Sequence, residues 1–228
     1  DEAIDPRRVD IAYARLDLRK DRVPLAYIVG HKEFYGREFS VSPHVLVPRP
    51  ESEDLVRLFL EVTADDITNN RTLIDVGTGS GALGISAKLE RPNLRVILSD
   101  ISQQALDIAT KNAEALQADV RIQQQDLLNG QIEPVNYILA NLPYVDESWD
   151  VSPEVRHEPE QALFAKDGGL RLILELLDQV PLCLERGGWI FLEADPEQHQ
   201  SIISHAEALG LNHQKTLDYA LALRLVGA

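Results

Sequence analysis

From residue 73 onward the chain alternates short apolar runs with longer stretches of helical period. Residues 73–76, 96–99, 120–123, 137–140 and 189–193 are brief and rich in β-branched or aromatic side chains, the pattern of strands. Between them, helical spacing starts near Ala82, Gln103, Gly169 and Glu197. Strands alternating with helices predict an α/β fold with a mostly parallel, Rossmann-like sheet covered on both faces. After a helix around residues 202–209, runs at 214–217 and 221–226 leave no room for an intervening helix. They are expected to pair antiparallel at one edge, bringing the sheet to seven strands.

Upstream the pattern differs. Residues 1–22 place Val9, Ala12, Tyr13 and Leu16 at helical spacing, one amphipathic helix too short to fold alone. It reads as the end of a larger helical segment. Residues 23–50 predict a β-hairpin linker turning at Tyr35-Gly36, with Phe34, Tyr35 and Phe39 as its packing face. A helix then opens at Pro50, with acids in its first turn and Leu55, Leu58 and Phe59 along one side. Residues 51–228 are expected to form one α/β domain.

Charge changes the picture only downstream. Residues 1–60 carry 10 Lys/Arg against 11 Asp/Glu, whereas residues 61–228 carry 12 against 26. An acidic body repels phosphate backbones, so direct nucleic-acid binding is disfavoured and a small molecule or protein partner is expected. No apolar run approaches the ~18 residues of a membrane span. The single cysteine, Cys183, cannot form an internal disulfide and reads as a buried thiol. A cytoplasmic monomer is the expectation. The sequence starts at Asp1 and contains no Met, so a missing natural start is expected as well.

The stretch "LIDVGTGSGALGI" places Asp75 and the glycines Gly77, Gly79 and Gly81 between the first strand and the next helix. Ligands of open α/β sheets bind at this position. The string from Gly79 to Gly84 matches G-x-G-x-x-G, which by itself is weak evidence for a dinucleotide. An acid ahead of the glycines suits a cationic amino-acid end better than a pyrophosphate, which favours S-adenosylmethionine (SAM). Asp100, 19 residues after Gly81, can accept ribose hydroxyls in either case. Asp126, in "QQQDLL", stands where SAM enzymes commonly take the adenine amino group.

A further apolar run ends on "ILANLPYV", residues 138–145. Asn and Pro are poor residues for a central strand, so the amide of Asn141 marks the strand end or is aimed at a ligand. Taken with "DVGTGSG", "LSDIS" and "QQQDLL", this stretch makes the chain resemble class I SAM-dependent methyltransferases. More closely it resembles the HemK-type protein-(glutamine-N5) methyltransferases, through "PLAYIVGHKEFYGREFSV", "VLVPRPESE" and "RHEPEQAL…DGG", over roughly residues 23 to 228. That resemblance implies methyl transfer to the glutamine of the Gly-Gly-Gln motif of peptide chain release factors. It also implies a SAM site built from Asp75, Gly77, Thr78, Gly79, Gly81, Asp100, Ile101, Asp126, Leu127 and Asn141. The implied catalytic and substrate-binding residues are Asn141, Leu142, Pro143 and Tyr144, with Arg49 as a further substrate contact.

The chemistry is coherent with those residues. An amide nitrogen is a poor nucleophile because its lone pair is delocalised into the carbonyl. Two acceptors for its N–H groups, implied to be the Asn141 side-chain oxygen and the carbonyl of residue 142, orient it and raise its electron density. Tyr144 would add an aromatic wall. The family has Asn-Pro-Pro-Tyr where this chain has Leu142, and Pro143 still holds Leu142 extended. Asn-Leu-Pro-Tyr is also the form of adenine-N6 methyltransferases, so an RNA or DNA amino group is the alternative substrate. Another protein glutamine, such as one in a ribosomal protein, is a third. Asp195 replaces a family glycine after Glu193, to which no catalytic role is assigned. Arg49 has a bland alternative, pairing with Glu51 or Glu53. His157 reads as a residue that orders its loop, and no histidine spacing suggests a metal.

Overall fold

The computed structural model describes residues 5–66, 68, 70–131 and 133–226. Helix α1, Pro6–Lys20, begins on the Asp5 cap, whose carboxylate accepts from Arg7 N at 3.0 Å. None of its side chains is buried, and Tyr13 and Leu16 of its apolar stripe face outward. It is joined to the body by Arg19, which donates to Glu154 at 3.0 Å, and by Arg22, beyond its last turn, which reaches the same oxygen at 3.1 Å.

The expectation that the hairpin runs from the start of the linker is corrected. Residues after Pro24 form a short helix α2, Leu25–Val29, ended by Gly30 at φ +87°. Pro24 supplies a preset φ at the helix start, and Gly30 takes the left-handed turn that stops it. The hairpin proper is β1, His31–Phe34, paired with β2, Arg37–Ser40. Tyr35 (φ +50°) and Gly36 (φ +71°) form its turn, the double left-handed geometry that matches strand twist. Phe34 and Phe39 are buried edge to face at 6.1 Å, with Tyr35 packed partly against them, as expected.

A 3-10 turn, Pro50–Ser52, leads into α3, Glu53–Val62. Strands and helices then alternate through β3 (Thr72–Val76), α4 (Ala82–Glu90), β4 (Arg95–Asp100), α5 (Gln103–Ala115), β5 (Val120–Gln124) and β6 (Val135–Ala140). The short strands β7 (Val145–Asp146) and β8 (Phe164–Ala165) pair with each other. The rest are α6 (Arg171–Cys183), β9 (Leu184–Glu193), α7 (His199–Ala208), β10 (Leu211–Leu217) and β11 (Ala220–Leu225).

The main sheet has seven strands in the order β10-β11-β9-β6-β3-β4-β5. All neighbours are parallel except around β11, which runs antiparallel to both β9 and β10. The last strand is therefore inserted inside the sheet, and β10 takes the edge. Alternation along each strand sends side chains to two cores. Leu73, Leu98, Leu139 and Phe191 join Leu55, Phe59 and Ile85 on one face. Ile74, Ile97, Ile138 and Ile190 join Leu176, Leu177 and Ile202 on the other. The central strand β3 is buried throughout, as a strand covered on both faces must be. Cys183 is buried at the end of α6, and burial pushes its thiol up to about 11.

One polar side chain couples the hairpin to this sheet. Asn112 of α5 accepts from Ser40 N at 2.8 Å and donates to Ser40 O at 3.0 Å and Ser80 O at 2.8 Å. Hairpin and glycine turn therefore hang on the same buried amide. Among the described residues no helix is long and apolar enough to cross a membrane, and no His/Cys/Asp/Glu group could hold a metal.

Candidate active site

A cavity of about 540 Å³ opens at the carboxyl ends of β3, β4 and β6. Parallel topology puts these ends together, because every crossover returns the chain to the opposite edge before the next strand. Gly77, Thr78, Gly79, Asp100, Ile101, Asp126, Leu127, Asn141, Leu142 and Pro143 all line it. Four separate loops thus bring ten of the expected site residues to one space. Its outer wall comes from elements that the strand pattern alone does not place there. Phe34 of the hairpin, His44, Pro48, Ser52, Pro159 and Phe164 all belong to the lining.

The glycine turn is held from beneath. Asp75 does not line the cavity; its side chain is fully buried behind the turn. Its Oδ2 accepts from Thr78 Oγ1 at 2.5 Å and from Gly84 N at 2.9 Å, while Oδ1 has no partner. Burial raises this carboxyl to about 6, against the pull of the Thr78 and Gly84 donors and with help from Asp100. Gly81 likewise sits behind the turn, capping α4 at φ +83°. Gly77 is needed on two counts, since it adopts φ +70° and a Cβ there would stand 2.8 Å from Leu142 Cδ2. The Leu142 side chain packs down onto the cofactor turn and is itself buried.

A stability consequence follows from Asp75. With its pKa raised from an ordinary 3.8 to about 6 when folded, the folded state holds this proton more tightly than the unfolded chain. Its contribution to stability is full below about pH 4 and is lost as pH rises through about 6. Asp75→Asn is expected to remove that slope, on the order of 2–3 kcal/mol between the two limits. Urea unfolding of both proteins at about pH 4.5 and about pH 7.5 measures it, and parallel pH dependence would refute it.

Asp100 is better placed for a ligand. Its Oδ2 accepts from Gly79 N at 2.9 Å and its Oδ1 from Ser102 N at 2.9 Å, which fixes the carboxylate at the cavity wall. Each oxygen keeps a lone pair for a diol. Over Gly79 there is open space within 4 Å of the Cβ direction. No Lys or Arg is among the described residues lining the cavity, so nothing cationic awaits a pyrophosphate. Acids at Asp100 and Asp126 and apolar walls fit SAM, a cation carrying an adenosine.

The strand end of β6 supplies the other half. Asn141 donates from Nδ2 to Ser52 Oγ at 2.9 Å. Tyr144 is not in the cavity lining; its hydroxyl turns back to donate to Glu193 Oε1 at 3.1 Å, and burial beside that carboxyl raises its pKa. The aromatic side chains that do line the cavity are Phe34 and Phe164. The Tyr144 carbonyl accepts from Gln198 Nε2 at 2.8 Å, and the same nitrogen donates to Gly168 O at 2.7 Å. Asp195 N returns a bond to Gln198 Oε1 at 3.1 Å.

Arg49 is paired neither with Glu51 nor with Glu53. It is bound to the buried Glu158, whose other oxygen accepts from Val47 N at 3.0 Å. The pair staples the segment before α3 to the loop after β7, and neither residue is in the cavity lining, although their neighbours Pro48 and Pro159 are. His157 orders its loop as expected, with a ring nitrogen 2.9 Å from Asp21 O. The residues that pattern reasoning missed are Ser52, Phe164, Gln198 and the structural reach of Glu193. Only proximity reveals them, since each belongs to an element far in sequence from the strand ends it meets.

Comparisons with known proteins agree with this geometry. Residues 54–194 match the family model for the methyltransferase small domain. The release factor glutamine methyltransferase of Staphylococcus aureus is 38% identical over 86% of this chain and 70% of its own length. That of Koribacter versatilis is 41% identical over 85% and 71%. A T. thermophilus 16S rRNA methyltransferase solved with AdoMet and guanosine superimposes with a TM-score of 0.62. It shares 17% identity over 87% of this chain and 50% of that one, a likeness of fold. With its sheet order, its cavity and these relatives in view, the chain is a SAM-dependent methyltransferase and belongs to the release factor glutamine methyltransferase family.

Proposed function

We propose that this enzyme methylates the side-chain amide nitrogen of the Gly-Gly-Gln glutamine in a peptide chain release factor, with Asn141 and Leu142 gripping the amide. The observation that carries this is the Asn141 amide at the cavity wall, its nitrogen already engaged by Ser52. That leaves Oδ1 as an acceptor for an incoming N–H group. The Leu142 carbonyl is the second acceptor, and Pro143 restricts Leu142 to extended conformations that keep it pointed. Both N–H groups of a glutamine amide are then held, and the nitrogen is aligned for in-line attack.

Bound SAM supplies a methyl group on a cationic sulfonium. Asp100 holds the diol end of the site and Asp126 the adenine end. Phe34 and Phe164 give the cavity aromatic lining. Asp75 braces the turn that carries Gly77 and Gly79 rather than touching the ligand. No strong base is needed ahead of transfer, because the amide attacks through its own nitrogen and loses its proton afterwards.

The adenine alternative has less support. Among the described residues no Lys or Arg lines the cavity, and residues 61–228 are strongly acidic, a poor surface for a phosphate backbone. Mass spectrometry of a release factor incubated with enzyme and SAM tests the choice. A gain of one methyl on the glutamine is expected; methylated RNA with an unmodified release factor would reverse the reading.

A further inference from the structure

We infer that Ser52 and Glu193 act as a pair of positioning residues that lock the Asn141 amide with its oxygen toward the substrate. The inference rests on the proposed amide-acceptor role of Asn141. Three distant segments meet here: the 3-10 turn before α3, the end of β6 and the end of β9.

A carboxamide has two ends of nearly equal shape but opposite hydrogen-bonding character. Turned the wrong way, Asn141 would offer N–H groups to a substrate that also has only N–H groups to give. Something must therefore choose its rotamer. Ser52 Oγ takes the Nδ2 proton at 2.9 Å, but a hydroxyl can donate as readily as accept. If its own hydrogen swung toward Asn141, the amide would be free to flip.

Glu193 removes that freedom. It is buried at the end of β9, and Tyr144 fixes its rotamer by donating to Oε1 at 3.1 Å. The other oxygen, Oε2, is buried without a hydrogen-bond partner of good geometry. Asn141 and Glu193 stand one residue beyond the paired Ala140 and Leu192 on the neighbouring strands β6 and β9, and the Ser52 hydroxyl and Asn141 amide oppose the rise that burial imposes on the carboxyl. A carboxyl oxygen with a free lone pair can accept the Ser52 hydrogen, which leaves a Ser52 lone pair for Asn141 Nδ2. The chain of bonds also polarises the amide, making Oδ1 a stronger acceptor. Tyr144 thereby acts on Asn141 indirectly, through Glu193, which explains a tyrosine hydroxyl that faces away from the cavity.

The test compares Ser52→Ala, Ser52→Thr, Glu193→Gln and the Ser52→Ala/Glu193→Gln double variant in the full chain, using a release factor as methyl acceptor. Ser52→Ala and Glu193→Gln are each expected to lower kcat by roughly 10- to 100-fold, a loss confined to transition-state positioning. The KM for the release factor and the Kd for SAM by calorimetry should stay within about threefold. Ser52→Thr keeps the hydroxyl and should recover most of the rate. The double variant should be no slower than the slower single one, because the two residues act as one chain. Single variants with near wild-type kcat, or losses that multiply in the double variant, would overturn the pairing while Asn141→Ala still abolishes transfer. Should Glu193→Gln not fold, the kcat of Ser52→Ala set against that of Ser52→Thr still supports or overturns it. A fully active Asn141→Ala would instead strike the amide-acceptor reading itself.

Discussion

Asn141→Ala is expected to lower kcat for release-factor methylation by at least about 10²- to 10³-fold while leaving the Kd for SAM within a few-fold of wild type. The size follows from what a single preorganised hydrogen-bonding group contributes where charge develops. Attack on the methyl draws electron density out of the amide nitrogen and makes its N–H groups more acidic. An acceptor aimed at one of them is therefore stronger in the transition state than in the ground state, so its loss falls on kcat rather than on binding. Cofactor affinity is spared because the turn at Gly77 and Gly79, Asp100 and Asp126 does not depend on the Asn141 side chain. Asn141→Asp sharpens the point. It keeps an oxygen but sets a second carboxyl against the buried Ser52–Glu193 group, and like charges there disfavour ionisation. It should therefore rescue little. Single-turnover kinetics with calorimetry separate the two quantities, and turnover near wild type in Asn141→Ala would end the amide-acceptor mechanism.

The second large effect is expected at a residue that touches no ligand. A Cβ added to Gly169 would stand 1.9 Å from the Tyr144 carbonyl oxygen and 2.5 Å from Gln198 Nε2, in a backbone at φ +80°. The first contact is with main chain, which cannot rotate away. Gly169→Ala must therefore push the 141–144 segment off its Gln198 clamp, losing a buried hydrogen bond in addition to the left-handed strain. Together these cost roughly 3 kcal/mol. Activity should fall further than stability, by about 10²-fold or more, because displacements near 1 Å at a reacting centre carry penalties of that size. Gly168, also at positive φ, meets nothing within 4 Å. Gly168→Ala should therefore bear the strain alone and keep most of its activity. Urea unfolding and kcat measured on both variants decide the matter; equal effects at 168 and 169 would mean the clash is relieved elsewhere.

Much of this architecture was legible in the amino-acid sequence because the signals are local. Apolar runs of β-branched residues mark β3, β4, β6 and β9, and the glycines after β3 mark a ligand turn whatever surrounds it. The hairpin turn at Tyr35-Gly36 and its Phe34–Phe39 face were equally readable. Residues 25–29 were not, since two β-branched side chains and an aromatic outweigh a single helical turn unless the brackets Pro24 and Gly30 are given their due. The insertion of β11 between β9 and β10 was also out of reach, because an antiparallel pair looks the same from either side of the sheet.

The candidate site divides along the same line. Residue type and strand-end position were enough to select Asp100, Asp126 and Asn141, since a polar residue closing an apolar strand has few other reasons to be there. They could not tell that Asp75 faces away from the ligand space, that Arg49 belongs to Glu158, or that Tyr144 points at Glu193. Those are directions of side chains between elements separated by tens of residues, and only packing sets them. The sequence by itself determined an α/β sheet, a glycine turn and an amide at a strand end. The tertiary structure decided which way that amide faces, by bringing the Ser52 hydroxyl to its nitrogen, because a hydrogen-bond donor and an acceptor of equal shape can be told apart only by their neighbours.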